Sequence, residues 1–251
     1  MRMELLNKSV IVTGASRGIG AAIAKSLSSF GANVAVNYNR SRDKAEEVLS
    51  EIRTLGGEGF IFKADVTNRA EAEALVEETV KHYGRVDVLV CNAAIEFPVK
   101  PFVEHSWEEA EKKITGEMKS IFFPVQAALK DMMKRKSGKI ILISSTLSRS
   151  AGEGFFSQCA AKAALDSTAR VLAKELGPHG IKVNVVAPGL IETDATAGFG
   201  AGLLKDAAEH TPLKRLGTPK DAAGAVVFLA SVLGDYITGQ YIPVSGGSYI
   251  P

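Results

Sequence analysis

The 251-residue sequence predicts an α/β fold, a single doubly wound parallel sheet of about seven strands with helices on both faces. Short apolar, β-branched runs alternate with amphipathic runs along the whole chain, which is the pattern of repeated β–α–β units. A glycine-rich turn follows the first of these runs. No composition break or linker interrupts the alternation, so we expect residues 1–251 to form one domain.

Each predicted strand is a short apolar run that ends at Gly, Pro, Asn or Asp. The predicted strands are 10–12, 33–37, 59–63, 86–90, 139–143, 181–186 and 240–244. The predicted helices are 19–30, 42–55, 68–83, 107–135, 156–176 and 220–230, and most of them end at glycine. With strands up to the third on one side of the sheet and strands four to six on the other, a crevice for a dinucleotide opens where the order reverses.

The turn within residues 10–20 has glycines in the pattern Gly-x-x-x-Gly-x-Gly. Gly14 permits a tight turn off the strand, and Gly18 lacks a Cβ, so that a pyrophosphate can approach the backbone. Gly20 lets the helix pack closely on the strand, and the free N–H groups at the helix N-terminus face the anion. A tight turn without a ligand is the alternative, but the flanking strand and helix favour a Rossmann-like site.

The composition is that of an ordinary globular protein, with 46% hydrophobic and 23% charged residues. A net charge of +2 gives no indication of a nucleic-acid partner. The two cysteines form no CxxC pair and the four histidines share no ligand spacing, so we expect neither disulfides nor a metal. Residues 1–9 do not resemble a signal peptide and no apolar run is long enough to span a membrane, so we expect a cytoplasmic protein.

Several further motifs follow the ends of predicted strands or lie in the helices behind them. They are residues 13–20, Asp65-Val66, Asn92-Ala93-Ala94, Ile143-Ser144-Ser145, Lys162, and Pro188-Gly189 followed by Thr193. Over nearly its full length the chain thereby resembles the short-chain dehydrogenase/reductase family, and most of all its 3-oxoacyl-carrier-protein reductases. The resemblance implies an NADP(H)-dependent or NAD(H)-dependent oxidoreductase whose small-molecule substrate is a carbonyl compound or an acyl thioester, linked to a carrier protein or coenzyme A.

The resemblance also implies a role for each cofactor-binding position. Asp65 would hold the adenine amino group together with the backbone of Val66, and Asn92 would support the central strand and line the cleft. Thr193 and the backbone near Pro188 would contact the nicotinamide carboxamide. The full expected set is Gly14, Ser16, Arg17, Gly18, Ile19, Gly20, Asn39, Arg40, Asp65, Val66, Asn92, Ala93, Ala94, Lys162, Pro188, Gly189 and Thr193.

The charge after the second strand favours NADP(H) over NAD(H). Preference for NAD requires an acidic residue there to bind the ribose 2′-hydroxyl, and this sequence has Asn39 and Arg40 instead. Arg40 and Arg17 are placed to flank a 2′-phosphate, a group that the guanidinium geometry matches. Two solvated arginines without a ligand are the alternative.

The catalytic pattern of the family departs from its usual form in this chain. The family uses an Asn in the fourth helix, a Ser after the fifth strand, and a Tyr-x-x-x-Lys pair in the fifth helix. Ser145 and Lys162 match two of these positions, but Gln158 stands where the Tyr belongs and Glu117 where the Asn belongs. The interval from Ser145 to Gln158 keeps the family's spacing, so the alignment is in register. A glutamine amide cannot serve as a general acid or base near neutral pH.

Three functions remain open on these residues. The protein is an NADP(H)-dependent oxidoreductase in which Ser145 through water, or Lys162, supplies the proton and Glu117 pairs with Lys162. Alternatively, the cleft performs an elimination, isomerisation or cyclisation with Glu117 or Lys162 as the base. In the third case the protein is a pseudoenzyme that binds NADP(H) without turnover.

The remaining expectations concern the substrate side and the surface. Residues 191–216, rich in Gly, Ala and Thr, indicate a flexible lid over the substrate site, with a mobile surface loop as the alternative. Trp107 is expected to anchor the fourth helix in the core. The resemblance implies a homotetramer, in which Phe122, Phe123 and the nearby alanines pack between subunits or against the sheet. The substrate itself is not legible from the sequence.

Overall fold

The computed structural model describes residues 5–250, so Met1–Glu4 and Pro251, which belong to the predicted domain and N-terminal segment, lie outside the described residues. The chain forms one seven-stranded sheet in the order β3-β2-β1-β4-β5-β6-β7, and all six neighbouring pairs are parallel. The strands are Ser9–Val12 (β1), Asn33–Tyr38 (β2), Glu58–Lys63 (β3), Val88–Cys91 (β4), Gly138–Ile143 (β5), Ile181–Pro188 (β6) and Tyr241–Val244 (β7). The predicted α/β fold and its order reversal between β1 and β4 are confirmed.

Seven α-helices connect the strands within the described part of the chain. They are Gly18–Ser29 (α1), Arg42–Thr54 (α2), Arg69–Tyr83 (α3), Trp107–Arg135 (α4), Phe156–Leu176 (α5), Ala201–His210 (α6) and Pro219–Ala230 (α7). Helices α1, α2 and α7 contribute to the apolar core on one face of the sheet, and α3, α4 and α5 to the core on the other face. No helix among residues 5–250 is both long and apolar enough to cross a membrane.

Strand β1 shows why the sequence of this sheet is so uniformly apolar. Val10 and Val12 belong to the core with α1, whereas Ile11 belongs to the core with α4. All three side chains are fully buried. A strand covered by helices on both faces carries no polar alternation, and the continuous β-branched run is the expected signature.

Local signals set the ends of the helices. Asn68 caps α3 by accepting a hydrogen bond from the backbone of Glu71, and Gly84 ends the helix in the left-handed conformation. A cap at Asn68 and a stop at Gly84 are what the sequence predicts here. Helix α4 begins with a reciprocal capping box between Ser106 and Glu109. These caps fix where α4 starts, and therefore which of its side chains face the sheet.

Two expectations are wrong, one about the packing of a side chain and one about the start of a strand. Trp107 does not anchor α4 in the core, because it is the first residue of that helix and is 67% exposed. Strand β4 begins at Val88 and not at Val86, because the Val86 N–H donates a hydrogen bond to the Asp131 carboxylate of α4. The phenylalanines and alanines of the fourth helix were expected to pack between subunits or against the sheet. Phe122 is exposed, whereas the nearby alanines are buried.

Candidate functional site

The glycine-rich turn lies at the carboxyl end of β1, beside the reversal of strand order. Gly14 and Gly18 have φ angles of +62° and +56°, which other residues rarely adopt. A Cβ on Gly14 would lie 2.9 Å from the Ala93 backbone, and one on Gly20 would lie 2.4 Å from the Asn92 side-chain nitrogen. Helix α1 has no side-chain cap at its start, so its first N–H groups are free for an anion.

Asn92 and Thr13 tie the ends of β4 and β1 together beneath this turn. The Asn92 side-chain nitrogen donates to the carbonyls of Thr13 and Gly14 at 2.9 and 3.0 Å. The Thr13 hydroxyl accepts from the backbone N–H groups of Asn92 and Ala93 at 2.9 and 3.0 Å. The reversal point is therefore held rigidly, which is what close approach of a pyrophosphate requires.

Asn37, a buried amide on β2, fixes the same turn from the other side. Its Oδ1 accepts from the backbone N–H of Gly14 at 3.1 Å, and its Nδ2 donates to the carbonyl of Ala64 at 3.0 Å. The side chain is 1% exposed. Sequence reasoning missed both Asn37 and Thr13 as supports, although a lone polar residue within an apolar strand was a signal that could have found Asn37.

The segments after β2 and β3 meet at the far end of the crevice. Burial alone would raise the pKa of Asp65, but hydrogen bonds from Thr67 and Asn39 and the charge of Arg40 outweigh it, so the pKa lies below its ordinary value. Arg40, Asn39 and, on the turn, Arg17 are exposed. The structure therefore brings an ionised Asp65 next to Asn39 and Arg40, as an adenosine site requires.

The four positions predicted to be catalytic lie at the carboxyl end of the sheet, on β5, α4 and α5. The Lys162 ammonium donates to Glu117 Oε1 at 2.5 Å and to the carbonyl of Ile143 at 2.8 Å. Gln158 lies one helical turn before Lys162 on α5, and its buried Oε1 has no hydrogen-bond partner within residues 5–250. Ser145, which follows β5, accepts from the backbone of Leu147 at 3.2 Å.

Lys113 joins this group and was not predicted. Its ammonium donates to Glu117 Oε2 at 2.7 Å and to the carbonyl of Ile95 at 2.8 Å, and it lies 5.0 Å from the centre of the Phe97 ring. Glu117 therefore presents one oxygen to each of two lysines, Lys113 and Lys162. Both Lys113 and Glu117 are 1% exposed. The available signal was the spacing of four residues between Lys113 and Glu117 on one helix.

The two lysines decide the protonation of the carboxyl between them. Burial alone would raise the pKa of Glu117, but the charges of Lys162 and Lys113 lower it to about 2. Burial, together with the charge of Lys162, lowers the pKa of Lys113 to about 8 against the attraction of Glu117. Glu117 is thus an ionised counter-ion over the whole neutral range, and a weak base.

A tyrosine distant in sequence lies near Ser145. The Tyr241 hydroxyl, on β7, donates to the carbonyl of Ser145 at 3.3 Å and lies 3.4 Å from the Ser148 hydroxyl. Burial raises the pKa of Tyr241 above its ordinary value, which makes it a weaker acid. Its position against the backbone of Ser145 supports that loop and does not replace a tyrosine at Gln158.

The segment 191–216 is more regular than a mobile loop, since it contains α6 and a short turn at Ala197–Phe199. The Thr196 hydroxyl donates to the carbonyl of Ile191 at 2.7 Å and accepts from the backbone N–H of Thr193 at 2.9 Å. A Cβ on Gly18 would lie 3.6 Å from the Thr193 side chain. The segment therefore begins against the glycine turn, with Thr193 beside Gly18.

Three aromatic rings from three segments surround the space next to Lys113. Phe97 follows β4, Phe155 precedes α5, and Phe199 comes from the 191–216 segment. The ring centres of Phe97 and Phe155 are 6.0 Å apart, and those of Phe155 and Phe199 are 6.1 Å apart. They form a continuous apolar wall that begins beside Lys113.

Comparison with known proteins agrees with this geometry. Residues 14–249 match the family model described as enoyl-(acyl carrier protein) reductase. The chain is 41% identical to a 3-oxoacyl-[acyl-carrier-protein] reductase of Staphylococcus epidermidis over 98% of this chain and 100% of that protein. The chain belongs to the short-chain dehydrogenase/reductase family. A 3-oxoacyl-[acyl-carrier-protein] reductase of Synechocystis is 39% identical over 94% of this chain and 95% of that protein.

Solved structures of short-chain dehydrogenases have the same architecture. A 7α-hydroxysteroid dehydrogenase in complex with NADH and 7-oxoglycochenodeoxycholic acid matches with a TM-score of 0.93 and 35% identity, over 98% of this chain and 95% of the other. A double mutant of a Serratia marcescens short-chain dehydrogenase/reductase matches with a TM-score of 0.90 and 34% identity, over 97% and 98% of the two chains. The protein is thus an oxidoreductase of the short-chain dehydrogenase/reductase type, related to the reductases that act on acyl-carrier-protein substrates.

Proposed function

We propose that this protein is an NADP(H)-dependent oxidoreductase of a carbonyl or acyl-thioester substrate, with Gln158 in place of the usual tyrosine. The observation that carries the proposal is the intact glycine-rich turn within residues 10–20, called the cradle below, which lies at the same edge of the parallel sheet as Lys162. A Cβ on Gly14 or Gly20 would clash with Ala93 or Asn92, so the tight turn requires both glycines. The start of α1 is uncapped, so the residues present fit a dinucleotide pyrophosphate. When bound, the dinucleotide supplies hydride chemistry.

The residues around the cradle hold the rest of the dinucleotide in this proposal. Asp65 accepts from the adenine amino group, Thr193 and the backbone at Pro188-Gly189 face the carboxamide, and Lys162 holds the nicotinamide ribose. An ammonium has three N–H donors, and Glu117 and Ile143 use two of those of Lys162. The third remains for a ribose hydroxyl or for substrate.

Preference for NADP(H) over NAD(H) rests on Arg40 and Arg17. Both are exposed near the end of β2 and the turn, and no acidic residue follows β2 to bind a 2′-hydroxyl. Fluorescence titration with NADPH and with NADH tests this directly. We expect NADPH to bind at least tenfold more tightly, and Arg40→Ala to weaken NADPH alone by about tenfold, since one charge-assisted hydrogen bond contributes about 1.5–3 kcal/mol. Arg53→Ala, an exposed arginine on α2, is the matched control.

Turnover is expected to be slow because Gln158 cannot donate a proton. General acid catalysis contributes about 10²–10⁴-fold, so Gln158→Tyr should raise NADPH oxidation with an acyl-thioester or ketone panel by a factor in that range. The proton in the unmodified protein comes from Lys162, directly or through water and Ser145. Loss of the residual turnover in Lys162→Ala would support this assignment, and equal turnover of both proteins would contradict it.

A second candidate function is binding of NADP(H) without turnover. The observation that favours it is the closed ion pair between Lys162 and Glu117, which leaves neither group free as a base. A non-redox elimination or isomerisation with Glu117 as the base is less well supported, because its pKa of about 2 makes it a weak base. NADPH oxidation by the purified protein would exclude both alternatives.

The remaining proposals follow the relatives. Residues 1–251 form one domain with 191–216 as its substrate lid, and Phe199 of that lid approaches Phe155. We infer a homotetramer, a cytoplasmic location in which both described cysteines stay free, and a substrate linked to a carrier protein or coenzyme A. Light scattering tests the oligomeric state, and a comparison of carrier-protein-linked with coenzyme-A-linked substrates tests the last point.

A further inference from the structure

Lys113 is a fully buried lysine for which binding of the dinucleotide gives no reason. It lies on α4 one turn before Glu117, and only 1% of its surface is exposed. Its neighbours on the same helix, Lys112 and Glu111, are exposed, so α4 turns this one cation inward. Burying an ammonium costs several kcal/mol, and its ion pair with Glu117 repays this only partly. A group kept in so unfavourable a place suggests a role in the site.

Lys113, Glu117 and Lys162 form a continuous chain of proton-carrying groups. The Lys113 nitrogen is 2.7 Å from Glu117 Oε2, and the Lys162 nitrogen is 2.5 Å from Glu117 Oε1. The two ends of one carboxylate therefore contact two different lysines from two different helices. Lys162 is the end that reaches the predicted cofactor and substrate, and Lys113 is the end that lies behind it.

The surroundings of Lys113 make it ready to release a proton. Desolvation and the charge of Lys162 act against its ammonium form and outweigh the attraction of Glu117, with the result that its pKa is about 8. On the loop packed against it, the Phe97 ring and the Ile95 carbonyl contact the ammonium. The loop's charged groups point elsewhere: Lys100 is paired with Glu109, and Glu96 is exposed.

We propose that Lys113 is the proton reservoir of this site and restores, through Glu117, the proton that Lys162 gives to the substrate. The inference rests on the proposed function, in which NADPH is the reductant. After hydride reaches the carbonyl carbon, the substrate oxygen takes a proton from the Lys162 nitrogen, an N–H bond breaking as the O–H bond forms. The Glu117 carboxylate takes a proton from Lys113 on Oε2, and rotation of the carboxyl group presents this proton to the neutral Lys162 amine, whose N–H bond forms as the carboxyl O–H bond breaks. Lys113 is left neutral and regains its proton from solvent when the site opens.

The glutamine at position 158 explains why the site would need this chain of proton-carrying groups. Without a phenol in contact with the substrate, Lys162, one helical turn after Gln158 on α5, is the proton donor of the proposed function, and each turnover deprotonates it. A neutral Lys162 would lose its ion pair with Glu117. A buried reserve proton one carboxylate away restores the pair without opening the site to water.

The test uses the full-length protein and the variant Lys113→Met, which keeps the side-chain length and removes the charge. Lys112→Met, an exposed lysine on the same helix, is the matched control. Three quantities are measured: NADPH affinity, the pH dependence of NADPH oxidation with a ketone substrate, and the titration of ¹³Cε-labelled lysines by NMR. The last requires no turnover, and the resonance absent from Lys113→Met identifies Lys113.

We expect Lys113→Met to bind NADPH as the unmodified protein does and to lose turnover by about 100-fold, the lower range for loss of a proton donor. The unmodified protein should lose activity above about pH 8, the variant should lack that limb, and the Lys113 resonance should titrate near pH 8. Unchanged turnover and pH profile in Lys113→Met, or a Lys113 resonance that titrates above pH 10, would overturn the inference while leaving the proposed function intact. Absence of NADPH oxidation by both the unmodified protein and Gln158→Tyr would overturn the proposed function, and the inference with it.

Discussion

Replacement of Glu117 by glutamine should destabilise the fold in a way that depends on pH. The substitution keeps the shape of the side chain and removes the only carboxylate that contacts Lys113 and Lys162 within residues 5–250. Removal of one partner from a buried ion pair costs about 3–5 kcal/mol because the remaining charge is left uncompensated. We therefore expect the free energy of unfolding at pH 7 to fall by about that amount.

The pH dependence follows from the two pKa values. The folded pKa of Glu117, about 2, lies below the unfolded value of 4.5. It therefore contributes about 3 kcal/mol of stability above pH 4.5, which is lost as the pH falls towards 2. The folded pKa of Lys113, about 8, lies below its unfolded value of 10.5. Between about pH 8 and pH 10.5 the unfolded chain binds more protons at Lys113 than the folded protein, so the free energy of unfolding rises with pH.

In Glu117→Gln the loss of stability between pH 4.5 and about 2 that is due to Glu117 should disappear. The alkaline rise should begin at lower pH, because Lys113 has lost the carboxylate that supports its charge. Urea unfolding of the variant and of the unmodified protein at pH 3 to 10 measures both effects. Glu111→Gln, an exposed position on α4, controls for loss of a negative charge on that helix. If Glu117→Gln unfolded at the same urea concentration as Glu111→Gln across this range, Glu117 would not be the buried counter-ion of two lysines.

Two further predictions concern the cradle and the substrate wall. Gly20→Ala should weaken NADPH binding at least tenfold and lower the melting temperature, because its Cβ would lie 2.4 Å from Asn92 Nδ2. Gly202→Ala, where a Cβ meets open space, is the control and should change neither quantity. A binding titration and a thermal melt measure the two effects. Phe199→Ala should raise KM for apolar carbonyl substrates and leave the NADPH affinity unchanged, since its ring contacts Phe155 and not the cradle; steady-state kinetics measures the first, and a reduced affinity for NADPH would contradict the assignment of the wall to substrate.

The sequence predicted the sheet, its reversal point and the turn because each is specified locally. The β-branched strands, the glycines and the cap at Asn68 act through neighbouring residues, and the structure has each of them where the pattern indicates. The pairing of Glu117 with Lys162 was also predictable, because the family resemblance aligned both positions.

What the sequence did not reveal depends on how the helices face the sheet. A lysine in a charged helix is normally solvated, and the four-residue spacing of Lys113 and Glu117 predicts an ion pair without predicting that the pair is buried. Trp107 was wrongly placed for the same reason, since its large apolar surface suggested burial while the capping box turned it outward. Tyr241, far away in sequence, reaches Ser145 only because β7 completes the sheet beside β6.

The unequal number of lysines and carboxylates beneath the cleft has an electrostatic consequence. Two ammonium groups and one carboxylate leave one uncompensated positive charge, and the interior around it screens that charge far less than water would. Its field extends into the adjacent cleft at every pH at which Lys113 is protonated. In the proposed function, this field stabilises a substrate oxygen that gains negative charge before any proton has moved, as in sites where fixed positive groups face a developing anion. The cleft therefore has a positive electrostatic potential before a ligand binds.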